Sequence, residues 1–178
     1  MFRPFATAFM TLAMTAPAIA AEPGGTITGT IDGQQVELSI SPTQSDYSGS
    51  LEDRWISVSL VVYDRALAQR DIGTVFISFE GFGEVVGDEI TLMEVQAYIN
   101  DTSPARSYYA EYSAYAEENP LAQTVTSVTE AGNLLTVSGT VTGTLTSVER
   151  MGLRNPDPDD TLEIDLSFDA VVVRLDGE

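Results

Sequence analysis

Leu134 to Val148 reads LLTVSGTVTGTLTSV, and its alternation decides the fold. Leu135, Val137, Val141 and Leu145 fall on one face with Gly139 and Gly143. Thr136, Ser138, Thr140, Thr142, Thr144 and Thr146 fall on the other. That period of two belongs to a long strand with one buried face. Its expected partner is Leu162 to Leu175, LEIDLSFDAVVVRL, where Ile164, Leu166, Phe168 and Ala170 oppose Glu163, Asp165, Ser167 and Asp169. Pairing the two segments puts both apolar faces on one core.

Working outward, Thr26 to Ile31 and Gln35 to Ile40 flank Asp32-Gly33, a strong hairpin signal between alternating segments. Ser41 to Gly49 reads as a loop, Trp55 to Tyr63 as a strand, and Asp64 to Asp71 as a single helical turn with Asp64 as N-cap. Thr74 to Phe79 is a strand ended by Gly81 and Gly83. The next pieces turn at Gly87-Asp88 and continue as a strand from Ile90 to Ile99. Over 103–119 two periods compete. Ser103, Pro104 and the spacing of Tyr108, Tyr112 and Tyr115 favour a helix, whereas Tyr109, Glu111, Ser113 and Tyr115 share one face of a strand. Thr124 to Thr129 is a strand, Glu130 to Asn133 a hairpin turn, and Glu149 to Thr161 a long loop. About nine strands with short connections and one or two short helices predict an all-β fold, an antiparallel β-sandwich or closed β-barrel.

Residues 1–20, MFRPFATAFMTLAMTAPAIA, carry one positive charge at Arg3, an apolar run from Phe5 to Met14 and the triplet Ala18-Ile19-Ala20, the composition of a secretory signal peptide. Cleavage after Ala20 leaves 178 minus 20, or 158, residues as one domain over 21–178. The expected product is periplasmic or secreted, soluble, and without membrane insertion. With no Cys it holds no disulfide, so stability rests on sheet pairing and apolar burial.

The chain has 27 Asp plus Glu, 8 Arg and no Lys. Losing Arg3 makes the mature charge 7 minus 27, or −20. Such a field repels phosphate backbones and anionic headgroups and favours cations and basic partners. The same charge also serves solubility alone.

Without His, Cys or Lys there is no Ser-His-Asp or Cys-His nucleophile, Schiff-base lysine, P-loop lysine or His/Cys zinc site. The expectation is a non-enzyme. Carboxylate-dependent glycan cleavage survives as an alternative, with Glu84, Asp88, Glu89 and Glu94 able to supply a pair beside Trp55 or the tyrosines. Asn155-Pro156-Asp157-Pro158-Asp159-Asp160-Thr161-Leu162-Glu163 is the most specific local feature. Asp157, Asp159, Asp160 and Glu163 can present oxygens to one Ca²⁺, although the glycine and terminal glutamate of an EF-hand loop are missing. A solvated turn explains the same residues. Thr140, Thr142, Thr144 and Thr146 repeat at about 6.8 Å in a regular strand, a hydroxyl row of the kind that meets ice or polysaccharide when several rows align. Thr is equally a good solvent-face strand residue. Tyr98, Tyr108, Tyr109, Tyr112 and Tyr115 are core or rim aromatics, or a recognition face.

VSGTVTGTL followed by LEIDLSFDAVV resembles the strand pair that ends many small exported bacterial β-proteins of unknown function, in which an SGT-x-x-G-T-L strand precedes one ending in Gly-x-Phe-Asp. Asp165-Leu166-Ser167-Phe168-Asp169 lacks that glycine. The resemblance implies an architecture and no activity. The expected role is non-catalytic binding of a protein or glycan partner at the cell envelope. A lipocalin-like carrier of a small apolar ligand is the remaining alternative, and it requires an enclosed apolar cavity.

Overall fold

A computed structural model describes residues 22–62, 72–86, 89–101, 107–149 and 155–175. The signal segment 1–20 and the helical turn expected over 64–71 lie outside the described residues. Ten strands follow in order: β1 (Gly24–Ile31), β2 (Gln34–Ile40), β3 (Asp46–Ser50), β4 (Trp55–Val62), β5 (Ile72–Val86), β6 (Glu89–Asp101), β7 (Ser107–Ser113), β8 (Leu121–Ala131), β9 (Leu134–Val148) and β10 (Asp157–Arg174). No helix occurs among the described residues, and the fold is all-β.

All ten strands belong to one sheet in the order β2-β1-β10-β3-β4-β5-β6-β7-β9-β8, with β10 also paired to β9 and β2 to β4. The deciding stretch is β9, and its register against β10 runs from Leu134↔Val173 to Thr146↔Thr161. β10 is the hub. One edge meets β9 along its length, while the other meets β1 from Ile164 to Val171 and then β3 in a short parallel contact, Val173↔Asp46 and Arg174↔Tyr47. Following the ladders from β10 through β3, β4, β5, β6, β7 and β9 therefore leads back to β10.

The inward positions build one core. Ile27, Tyr47, Ile56, Leu60, Ile77, Phe79, Leu135, Leu145, Leu166 and Phe168 are essentially inaccessible. Phe79 and Phe168 stack with ring centroids 5.9 Å apart. They come from β5 and β10, strands that β3 and β4 separate within the sheet, so the sheet curls to bring them together. Gly139 makes room for that stack: a Cβ there would lie 2.6 Å from Phe168 Cζ. Each buried aromatic of this size contributes about 3–5 kcal/mol against truncation to Ala.

Several sequence expectations are corrected. Within 103–119, where a helical and a strand period compete and the helix is slightly favoured, the described residues form β7 from Ser107 to Ser113, followed by turns and bends over 114–120, and no helix. Tyr108 and Ala110 point into the core, and β7 pairs with β6 along its whole length, from Glu94↔Ser113 to Asn100↔Ser107. Pairing with β6 selects the strand period over the helical spacing of the tyrosines; Ser103 and Pro104 lie outside the described residues. The loop expected over 41–49 contains β3, which exists because Tyr47 is fully buried and its neighbours ladder to β4. β5 does not end at Gly81 but continues to Val86, absorbing register shifts at Glu80/Gly81 and Phe82/Val86. Part of the long loop, from Asp157 onward, belongs to β10. The Asp32-Gly33 hairpin stands, with both residues at positive φ, 49° and 71°.

Candidate binding face

Alternation sends every second residue of β3 to β7 outward, and the registers place these side chains in rows. Ser48, Ser57, Glu80, Glu94 and Ser113 form the first row. Asp46, Ser59, Ser78, Gln96 and Glu111 form the second, and Val61, Phe76, Tyr98 and Tyr109 the third. Directly opposed positions on adjacent strands have Cβ atoms about 5 Å apart, so three aromatic rings lie side by side next to two rows of hydrogen-bonding groups. A cleft of about 160 Å³ opens on the polar rows, lined by Ser57, Ser59, Ser78, Phe79, Glu80, Glu94 and Gln96. Serines, rather than larger residues, on β4 and β5 leave this space.

The polar groups are ordered. Gln96 Nε2 donates to Glu94 Oε1 at 2.6 Å, and Tyr109 Oη donates to Glu111 Oε2 at 2.8 Å. Tyr98 Oη and Ser107 Oγ are 3.0 Å apart. Burial, then the bond and the charge of Glu111, with a further contribution from Glu94, push the Tyr109 phenol well above its ordinary range, so it stays neutral and donating. Burial also raises the Asp46 carboxyl. The three rows carry four carboxylates and no basic side chain. Glu80 and Glu94 stand directly opposite one another across β5 and β6.

Of the residues singled out in the sequence, this face gathers Glu94, Tyr98 and Tyr109. The side chains of Glu84, Asp88 and Glu89 lie outside the described residues. Trp55, half-buried at the start of β4, packs its ring where Gly49, at φ +80°, has no Cβ. Tyr108 points inward and bonds Asp160 Oδ1 at 3.2 Å, Tyr112 packs on the core edge, and Tyr115 stands 84% exposed on the following turn. Phe76, Ser78, Glu80, Gln96 and Glu111 were not singled out. Alternation within β5, β6 and β7 marks each as outward, but only the register between strands assembles them.

The proposed calcium ligands are spread along the start of β10. Asp157 Oδ1 accepts from the Asp159 backbone N–H at 3.1 Å, Asp160 faces Tyr108, and Glu163 Oε1 accepts from Thr144 Oγ1 at 2.6 Å. Among the described residues no three carboxylates form a group able to hold a metal ion.

The threonine row of β9 proves to be one column of a larger array. Across β2, β1, β10, β9 and β8 the registers align Ser39, Thr26, Asp169, Ser138 and Ser127, then Glu37, Thr28, Ser167, Thr140 and Thr124. A third row is Gln35, Thr30, Asp165, Thr142 and Ala122. Sheet twist of about 20–25° per strand turns this array by about 80–100° from end to end, and carboxylates run down its middle. Both features work against a flat crystal lattice as its counterpart.

Compared with protein-family models, with curated proteins and with solved structures, the chain has no match.

Proposed function

We propose that the chain is an exported, non-catalytic binding module of the cell envelope, and that the outer face of β4 to β7 holds a glycan. The signal-like composition of residues 1–20 supports export. The observation that carries the binding reading is the row Phe76, Tyr98 and Tyr109 lying against the polar cleft. Sugar rings offer apolar C–H faces that stack on aromatics and hydroxyls that pair with Ser, Gln and carboxylate groups, and this face supplies both within one strand spacing. We read the sheet as a closed barrel flattened toward a sandwich, a reading supported by the return of the ladders to β10 and by the Ile40↔Val62 contact of β2 with β4. Its interior carries Tyr47, Phe79 and Phe168, which favours an exterior site over a lipocalin-like one.

Glycan cleavage is the second reading, favoured by the Glu80 and Glu94 pair in the cleft. The two acids are neighbours on one open face rather than placed on either side of a bound sugar, the arrangement that cleavage needs. Titration of the exported chain with envelope-type oligosaccharides is the test. Binding that weakens in Tyr98→Ala and Gln96→Ala, without release of shorter products, supports the module. Binding unaffected by either substitution removes the site, and product release that stops in Glu80→Gln converts the assignment to a hydrolase.

A further inference from the structure

Among the described residues β8 is the one strand laddered on a single side: β9 covers one edge and no strand pairs with the other. A bulge between Val125 and Ser127 divides that edge in two. The later half is tied to the body by Glu130, which accepts the Leu51 N–H and pairs with Arg174. The earlier half, Leu121 to Val125, has no hydrogen-bonded tie beyond β9 among the described residues. Pro120 C=O accepts from Thr144 N–H at 3.1 Å, so alternation turns the backbone groups of Ala122 and Thr124 toward β9 and those of Leu121, Gln123 and Val125 toward the open edge. Natural sheets blunt open edges with charged side chains. Here the outward side chains are Ala122 and Thr124, both exposed and uncharged, in a chain with 27 acids.

Leu121-Ala122-Gln123-Thr124-Val125 also reads alike in both directions: branched apolar, small, amide, small, branched apolar. We propose that this half-edge pairs antiparallel with a second copy of the chain, about a two-fold axis at Gln123. Leu121 then stands opposite the partner's Val125, Ala122 opposite the partner's Thr124, and Gln123 opposite the partner's Gln123. Inward residues meet inward residues, and the backbone groups at 121, 123 and 125 that face away from β9 become the hydrogen-bonded pairs of the new ladder. The observation that marks the centre is the Gln123 amide, whose oxygen and nitrogen are both buried without a partner. An amide is its own complement, and glutamines opposite one another on neighbouring strands hydrogen-bond as ladders. The single chain carries this amide as a cost, and the pair removes it. Because the contact uses the same residues on both copies, it closes as a dimer and does not propagate into a fibre. It joins the run β2-β1-β10-β9-β8 to its copy edge to edge, away from the outer face of β4 to β7, and so stands independently of any glycan held there. Two copies at a mature charge of −20 repel each other, and an uncharged edge is where they can approach.

The test is sedimentation equilibrium of the exported chain over a range of concentrations, in about 0.05 and 0.5 M NaCl. The expected result is a monomer–dimer equilibrium whose dissociation constant is about ten-fold or more tighter at the higher salt, where the repulsion between copies is screened. Ala122→Glu with Thr124→Glu sets like charges directly opposite one another in this register and should remove the dimer. Ala122→Lys with Thr124→Glu sets opposite charges there and should restore it. Both variants change exposed side chains, and far-UV circular dichroism checks that each keeps the fold. Hydrogen exchange on the unaltered chain reads the same contact: the backbone N–H groups of Leu121, Gln123 and Val125 should slow as the dimer forms. A chain that stays monomeric at every concentration in high salt overturns the proposal. A dimer that survives the double Glu substitution, or that leaves exchange at 121, 123 and 125 unchanged, lies elsewhere on the molecule and overturns it too. Loss of the dimer in a folded Lys/Glu variant overturns the two-fold at Gln123.

Discussion

Gln123 is the one polar side chain of the described core whose amide oxygen and nitrogen are both buried without a partner. It sits on β8 opposite Val141, in a row of inward residues between Leu121 and Val125. An unsatisfied buried amide costs about 1–3 kcal/mol. Gln123→Leu is therefore expected to stabilise the protein by about 1–2 kcal/mol, read as a higher urea midpoint at unchanged m-value. A lower midpoint would show that the amide is satisfied. Tyr109 makes a pH prediction. Its folded-state ionisation lies above the ordinary value of 10.0, so above that pH the unfolded chain releases a proton that the folded chain keeps. Stability present below pH 10.0 is thus lost as pH rises further, and Tyr109→Phe should flatten the decline in an alkaline denaturation series. Asp46 follows the same logic at acid pH. Its raised carboxyl makes the folded state bind more protons just above 3.8, so stability from this group falls as pH rises through that window. Asp46→Asn should remove that component.

Among the elements, β3, β8 and β10 are joined by a polar clasp. Arg174 pairs with Glu130 Oε1, the guanidinium lies 5.4 Å from the centre of the Tyr47 ring, and Tyr47 Oη donates to Glu130 Oε1 at 3.1 Å. Glu130 Oε2 accepts the Leu51 backbone N–H at 2.9 Å. Side chains here are only 28% and 16% exposed, so removing one partner leaves a charge in a partly dry setting. Arg174→Met and Glu130→Gln are each expected to cost about 1–3 kcal/mol, and a double-mutant cycle should return a favourable coupling. Additive losses would mean the pair carries nothing. No part of this clasp is visible in the sequence, since its members are 83 and 127 residues apart for the Tyr47 contacts. What the sequence does carry is local: β9, β10 and the Asp32-Gly33 hairpin are legible because their apolar residues alternate without interruption. The tyrosine segment fails because its spacing satisfies two periods, and pairing with β6 selects between them. The candidate face is half legible. Glu94, Tyr98 and Tyr109 stand out as residue types, whereas Glu80 and Phe76 gain meaning only once β5 and β6 are in register.

At the scale of the whole molecule, 27 acids against 8 arginines on a single all-β fold make self-repulsion a standing opponent of compactness. Raising NaCl from about 0.05 to 0.5 M should screen it and lift the Tm by a few degrees, read by scanning calorimetry. A Tm independent of salt would show that the acids are spaced widely enough not to interact. The position of β10 has a different consequence. This 18-residue strand, late in the chain, completes the ladders of β1, β3 and β9 alike. Until it emerges, the polypeptide behind it has no closing seam, and two distant edges wait for the same partner. Removal of β10 would therefore open both edges at once, rather than trim one end of the sheet.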